Sequence, residues 1–157
     1  MGASTGPEES VRLLGLGNEI LADDAFGIRV AERVRQEFGD LLDVVASTDT
    51  GFNLIDNLVG VSRLLVVDTM VTGRAKPGAI RWFEAEQASL APGDSPHAIG
   101  LFEVLALARA LGLAAPRRTT VIAVEAADCS TVGGAMHPDV EAAIGEVTNW
   151  VRRSGLL

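Results

Sequence analysis

The apolar positions of this chain fall into short blocks whose period changes several times. Residues 11–16 form a compact apolar run ending in Gly15-Leu16-Gly17-Asn18, the pattern of a buried first strand stopped by a turn. Over 25–38 the period lengthens. Phe26, Val30, Val34 and Phe38 share one helical side, with Arg29, Glu32, Arg33 and Glu37 mostly outside. Asp23 is the expected N-cap of this helix and Gly39 its C′ residue. Residues 43–48 predict a second strand, and 52–59 a short helix closed by Gly60. The run 64–67 is the most apolar, which predicts a central third strand ending at Asp68. Residues 71–78, with Gly73, Pro77 and Gly78, predict a loop. Residues 79–84 alternate around Ile80 and Trp82, as a fourth strand at an edge would. A second loop, 88–95, leads to a helix with Ser95 as N-cap and Pro96 at N1. It runs through Leu101, Leu105, Ala108 and Leu111 to a stop at Gly112. Residues 119–124 predict the fifth strand. Pro138 opens a last helix with Val140, Ile144, Val147 and Val151 at helical spacing.

Strands alternating with helices predict an α/β sandwich around a largely parallel sheet. With no internal repeat, low-complexity tract or linker, the expected organisation is a loose tail over 1–10 and one domain over 11–157. Ligands of such sheets bind beyond the carboxyl ends of the strands. That singles out three loops: 15–24, 49–51 and 68–73.

Composition narrows the function. The 157 residues are 48% hydrophobic, enough for a substantial core. The formal net charge of -8 argues against general nucleic-acid binding and against docking on anionic membranes, both of which need a basic footprint. The single cysteine, Cys129, cannot form an internal disulfide, which fits a reducing compartment. No apolar run approaches the roughly 18 residues that span a bilayer. The first ten residues lack the basic start and apolar middle of a signal peptide, so the expected location is the cytoplasm.

Gly15-Leu16-Gly17 after a first strand invites a dinucleotide-binding reading, with Asp49 as the ribose-binding acid. Two features oppose it. The third glycine of the G-x-G-x-x-G pattern would fall at Ile20. Glu19, Asp23 and Asp24 also place three carboxylates where a pyrophosphate needs an unopposed helix terminus. Carboxylates in that position attract a cation instead. For Asp23 the simpler role is capping against the helix dipole.

Three residues then stand out as metal ligands. Asp24 follows the first strand. Asp68 follows the third directly and would sit at the floor of the cleft; an Asp there could also build a turn, but Thr69 and Met70 do not look like a tight turn. His97, in Ser95-Pro96-His97, would be the second residue of a helix. A helix N-terminus disfavours imidazolium, so His97 keeps a lone pair for a metal. The other histidine, His137, precedes Pro138 and reads as a helix-start residue. Two carboxylates and an imidazole with open positions suit a divalent transition ion such as zinc or nickel.

At these residues the chain resembles a known family. Gly15-Leu16-Gly17-Asn18-Glu19-Ile20-Leu21-Ala22-Asp23-Asp24-Ala25-Phe26-Gly27 resembles the opening signature of the [NiFe]-hydrogenase maturation endopeptidases: G-x-G-N, four variable residues, two acids, then glycine. Val66-Val67-Asp68-Thr69 resembles the family's strand ending in a ligand Asp. Ser95-Pro96-His97-Ala98-Ile99-Gly100-Leu101 resembles its S-P-H-x-x-G-L segment. The likeness extends from about Val11 to Arg153. It implies a three-layer α/β sandwich whose twisted five-stranded sheet is parallel except for an antiparallel fourth strand. It also implies an aspartic-type endopeptidase that removes the C-terminal extension of the nickel-loaded large-subunit precursor. The family's metal-binding residues fall on Asp24, Asp68 and His97, where nickel of the substrate, or zinc or cadmium in its place, would bind. Asn18, Thr50 and Gly51 are carried over as substrate-binding residues. One stretch departs from the pattern: Asp49-Thr50-Gly51-Phe52 stands where the family commonly has Asp-Gly-Gly-Thr.

Two mechanisms remain open at this point. The three ligands could hold a catalytic metal that activates water. Alternatively they could engage the substrate's nickel as a recognition element, with Asp49 as candidate general base. The second is preferred, because the chain has no H-E-x-x-H motif and no G-x-S-x-G elbow between a strand and a helix, and nothing around Cys129 marks a nucleophile. A metal-binding maturation chaperone without peptidase activity is the rival function.

Overall fold

The computed structural model describes residues 9–87 and 98–157. Five strands, β1 (Val11–Leu16), β2 (Asp43–Ser47), β3 (Arg63–Met70), β4 (Ile80–Glu84) and β5 (Arg118–Glu125), form one sheet in the order β2-β1-β3-β5-β4. The β1–β2, β1–β3 and β3–β5 pairs are parallel and β4–β5 is antiparallel. The sheet is therefore mixed, with β4 at an edge and the apolar β3 at the centre, as expected. The helices are α1 (Phe26–Phe38), α2 (Ile55–Leu58), α3 (Ala98–Ala110) and α4 (Pro138–Arg153).

The period-two alternation of the strands sorts their side chains onto two faces. Leu13, Leu65, Val67, Ile122 and Val124 pack under α1 and α4, against Phe26, Val30, Val34, Val140, Ile144 and Val147. Leu14, Leu16, Leu64, Val66, Val121 and Ala123 pack on the other face against Leu54, Leu58, Leu101 and Leu105. Two cores around one sheet make a three-layer sandwich. The first layer is unusually close. A Cβ on Gly27 would lie 2.1 Å from the Leu16 carbonyl oxygen and 2.5 Å from that of Val67, so α1 rests directly on strand backbone. This glycine serves helix–sheet contact and not a phosphate.

Several elements differ from the sequence reading. β3 continues through Thr69 and Met70, which pair with Val124 and Glu125, so Asp68 lies inside the strand and not beyond it. The pairing with the long β5 supplies hydrogen bonds that a turn at Asp68 would forfeit. The predicted helix at 52–59 opens as a 3-10 turn, Gly51–Leu54, and only Ile55–Leu58 is α-helical. α1 is likewise preceded by a 3-10 turn, Ala22–Ala25, so Asp23 is not its N-cap. α3 ends at Ala110, which leaves Leu111 exposed. Ser10, assigned to the tail, is tied down: its carbonyl accepts from the backbone N–H groups of Ser62 and Arg63, both at 3.0 Å. The predicted loop 88–95, Ser95, Pro96 and His97 lie outside the described residues.

Candidate functional site

From β1 the chain passes through α1 to β2 on one side, while β3 lies on the other. The crevice at the carboxyl ends of β1 and β3 is thus the topological switch point of the sheet, where ligands bind in open α/β folds. The β1 loop arrives there by a tight route. Asn18 N–H donates to the Asp24 carbonyl at 3.1 Å, and Asp24 N–H donates to the Leu21 carbonyl at 2.7 Å. A Cβ on Gly17 would stand 2.1 Å from the Asp24 carbonyl oxygen, so only glycine lets that carbonyl approach. The Asn18 side chain accepts from Ile20 N–H at 3.2 Å, which closes the turn from inside.

The two consecutive acids then part. Asp23, 1% exposed, turns toward the loop after β5. Its Oδ2 accepts from the N–H groups of Ala127 and Asp128 at 2.7 and 2.9 Å, and its Oδ1 accepts from His137 N–H at 2.7 Å. Charge-assisted bonds of this kind contribute about 1.5–3 kcal/mol each, so Asp23 is a structural staple that ties the β1 loop to both ends of the loop between β5 and α4. This departs from the capping role expected of it: three convergent backbone donors outcompete one helix end. His137 does cap a helix, as expected, with Nδ1 accepting from Asp139 N–H at 3.1 Å.

Asp24 turns toward β3. Its Oδ1 accepts the Thr69 hydroxyl at 3.1 Å, while Thr69 N–H donates to Asp68 Oδ1 at 2.8 Å. One fully buried residue therefore contacts both predicted carboxylates, themselves 3% and 2% exposed. Pleat alternation puts Asp68, paired with Ala123, on the sheet face that α3 covers. Cys129 completes the group, its thiol donating to Thr69 Oγ1 at 3.6 Å. Burial pushes that thiol up to about 11, and the nearby charges of Asp24, Asp23 and Asp68 push the same way. A thiol so far from ionising is a poor nucleophile, in line with the sequence reading.

Other sequence-marked residues line the neighbouring β2 loop. Asp49 is exposed and is held by Ser47, whose hydroxyl donates to its Oδ2 at 3.0 Å, and by Asn57 at 3.5 Å. Thr50 is exposed, and Gly51 adopts the left-handed φ of 57°. A Cβ on Gly100 would stand 3.0 Å from the Gly51 Cα, so the first turn of α3 rests on this loop. Sequence reasoning missed three contributors. Thr69 entered only as the residue closing the Asp68 motif, with no role of its own, and Cys129 carried no motif. Glu125, 2% exposed, receives Thr72 N–H, Thr72 Oγ1 and Gly73 N–H at 2.8–2.9 Å and so fixes the loop after β3. A carboxylate at the end of an apolar strand was the available signal. A further anchor is Asp128, held down to about 2 by hydrogen bonds from Thr131 and Ser130.

Two buried carboxylates, one in the turn after β1 and one near the end of β3, both in contact with Thr69, are hard oxygen donors suited to a divalent cation. Among the described residues no three His, Cys, Asp or Glu side chains form a metal cage. The third expected ligand, His97, immediately precedes the first described residue of α3.

Comparison with known proteins decides what kind of chain carries this site. A family model described as hydrogenase maturation protease matches residues 28–153. The chain belongs to the hydrogenase maturation protease family. It is 28% identical over 154 residues to the hydrogenase 2 maturation protease of Escherichia coli K12, covering 93% of each chain. Its fold is similar to the hydrogenase maturating endopeptidase HybD from E. coli, with a TM-score of 0.73 at 25% identity over 93% of this chain and 94% of that one. A solution structure of an endopeptidase from E. coli superposes with a TM-score of 0.79 at 27% identity, with the same coverage. This protein is accordingly a hydrolase of endopeptidase type in hydrogenase maturation, which sets aside both the chaperone and the nucleotide-binding readings. Among the described residues no helix is long and apolar enough to cross a membrane.

Proposed function

We propose that this maturation protease removes the C-terminal extension of a nickel-loaded [NiFe]-hydrogenase large-subunit precursor, and that Asp24, Asp68 and His97 engage the substrate's nickel. The observation that carries the reading is that Asp24 and Asp68, both buried at the sheet's switch point, each contact Thr69, in a chain of this family. The nickel is here part of the substrate. Asp49 is the general base: it takes a proton from the water that attacks the scissile carbonyl and returns it to the departing amine. Asn18, Thr50 and Gly51 line the path of the extended peptide.

The surface around the acids supports a protein substrate. Ile20, Phe52, Val71 and Val132 are exposed apolar residues on the loops after β1, β2, β3 and β5. All four loops leave the carboxyl end of the sheet, the end at which the acids lie, and apolar side chains exposed there are available to a protein partner.

The test uses metal-stripped enzyme with nickel-loaded and nickel-free precursor, followed by mass spectrometry. The nickel-loaded form is trimmed and the nickel-free form is not. Asp24→Asn or His97→Ala abolishes trimming of the loaded form while leaving the fold intact. Stripped enzyme that cuts nothing until zinc is added would show that the metal is catalytic and belongs to the enzyme.

A further inference from the structure

We propose that Thr69 is the positioning residue of this site, its hydroxyl orienting the carboxylate of Asp24 toward the cation that Asp24 and Asp68 engage. The inference rests on the metal-engaging reading of the two acids given above.

Three observations carry it. The first is the pair of contacts from a single residue: backbone N–H to Asp68 Oδ1 at 2.8 Å and side-chain hydroxyl to Asp24 Oδ1 at 3.1 Å. The acids belong to different elements, 44 residues apart in the chain, and Thr69 spans them. The second is its setting. Thr69 is fully buried within β3, backbone-paired to Val124 on the long β5, so its hydroxyl is held by the central sheet and not by a loop. The third is direction. Cys129 donates its S–H to Thr69 Oγ1 at 3.6 Å. With that lone pair occupied, the hydroxyl proton is sent to Asp24. The chain Cys129 to Thr69 to Asp24 thus fixes which oxygen of Asp24 is engaged, and with it the plane of the carboxylate. Hydrogen bonds of this sort set ligand orientation in metal sites, and their loss typically weakens metal binding about 10–100-fold.

The test compares Thr69→Val and Thr69→Ser. Valine keeps the β-branched shape and the backbone donor to Asp68 but loses the hydroxyl. Serine keeps the hydroxyl. Two readouts are taken on folded protein, checked by thermal melting: calorimetric affinity for Ni²⁺ in the isolated chain, and KM and kcat for trimming nickel-loaded precursor. Thr69→Val weakens Ni²⁺ binding about tenfold or more and raises KM more than it lowers kcat, and Thr69→Ser restores both to near the parent values. Thr69→Val that binds Ni²⁺ and trims like the parent overturns the inference. So does an equal loss in both variants, which would make the residue a packing element only. Asp24→Asn is run alongside. If it too behaves like the parent, the metal-site reading itself fails; if it is inactive while Thr69→Val is normal, only the positioning role fails.

Discussion

The β1 and β2 loops leave adjacent parallel strands side by side, joined where Gly17 N–H meets the Ser47 carbonyl at 3.3 Å. They are built in opposite ways. In the β1 loop, residues 22–25 are all buried, the acids are clamped by backbone donors and a hydroxyl, and a glycine is present because nothing larger fits. In the β2 loop, Thr48, Asp49 and Thr50 are exposed, Phe52 is 71% exposed, and a Cβ on Gly51 would meet nothing within 4 Å. The difference follows from what each must do. Carboxylates that meet a cation gain from being oriented in advance, since no reorganisation is then needed on binding. A surface that admits an extended peptide has to be reachable and tolerant of side chains.

The sharpest way to break this contrast is to place the same methyl group in both loops. Gly17→Ala drives a Cβ to 2.1 Å from the Asp24 carbonyl, against backbone that cannot step aside. Overpacking of that kind costs about 3 kcal/mol or more. Gly51→Ala meets no atoms and only the strain of a left-handed residue, about 1 kcal/mol. At roughly 2–4 °C per kcal/mol for a chain of this size, melting curves separate the two variants clearly. Equal melting temperatures would mean that the β1 loop is as pliable as its neighbour.

A second pair exchanges charge for amide. Asp23→Asn turns an amide N–H₂ toward at least one of the donors now served by Asp23, from Ala127, Asp128 and His137. The loss of those charge-assisted bonds removes about 2–3 kcal/mol of stability. Asp49→Asn changes stability by less than about 0.5 kcal/mol, because Asp49 is exposed, yet it slows trimming if the residue is the base. Urea unfolding and precursor mass measured on both variants check this. A stable Asp23→Asn protein would remove its role as a staple.

The layout of the fold was legible because each element follows one period. Leu64 to Val67 reads as a central strand since both its faces are covered. Ends were harder to read. β3 outran its apolar run because Thr69 and Met70 find partners on β5, and pairing across 55 residues leaves no local signal. The site shows the same division. Asp24 and Asp68 stood out because acids after apolar strands are conspicuous. Thr69 did not, because its value comes from what lies across the crevice. Asp23 was misassigned for a related reason: its three donors come from more than 100 residues downstream.

The smallest expected effect falls on Phe52, which stands where the family commonly carries threonine. At 71% exposure its side chain contributes little to the core, so Phe52→Thr leaves the melting temperature nearly unchanged. On the present reading, the ring is covered only when precursor docks. Burying most of an aromatic side chain is worth about 1–2 kcal/mol, which corresponds to roughly a tenfold rise in KM when it is removed. The effect belongs in KM alone, because the ring does not touch the reacting atoms and contributes equally to substrate and transition state. A fall in kcat with KM unchanged would instead place Phe52 in the chemistry. The β2 loop would then be part of the catalytic machinery, and the contrast with the rigid β1 loop would no longer separate chemistry from recognition.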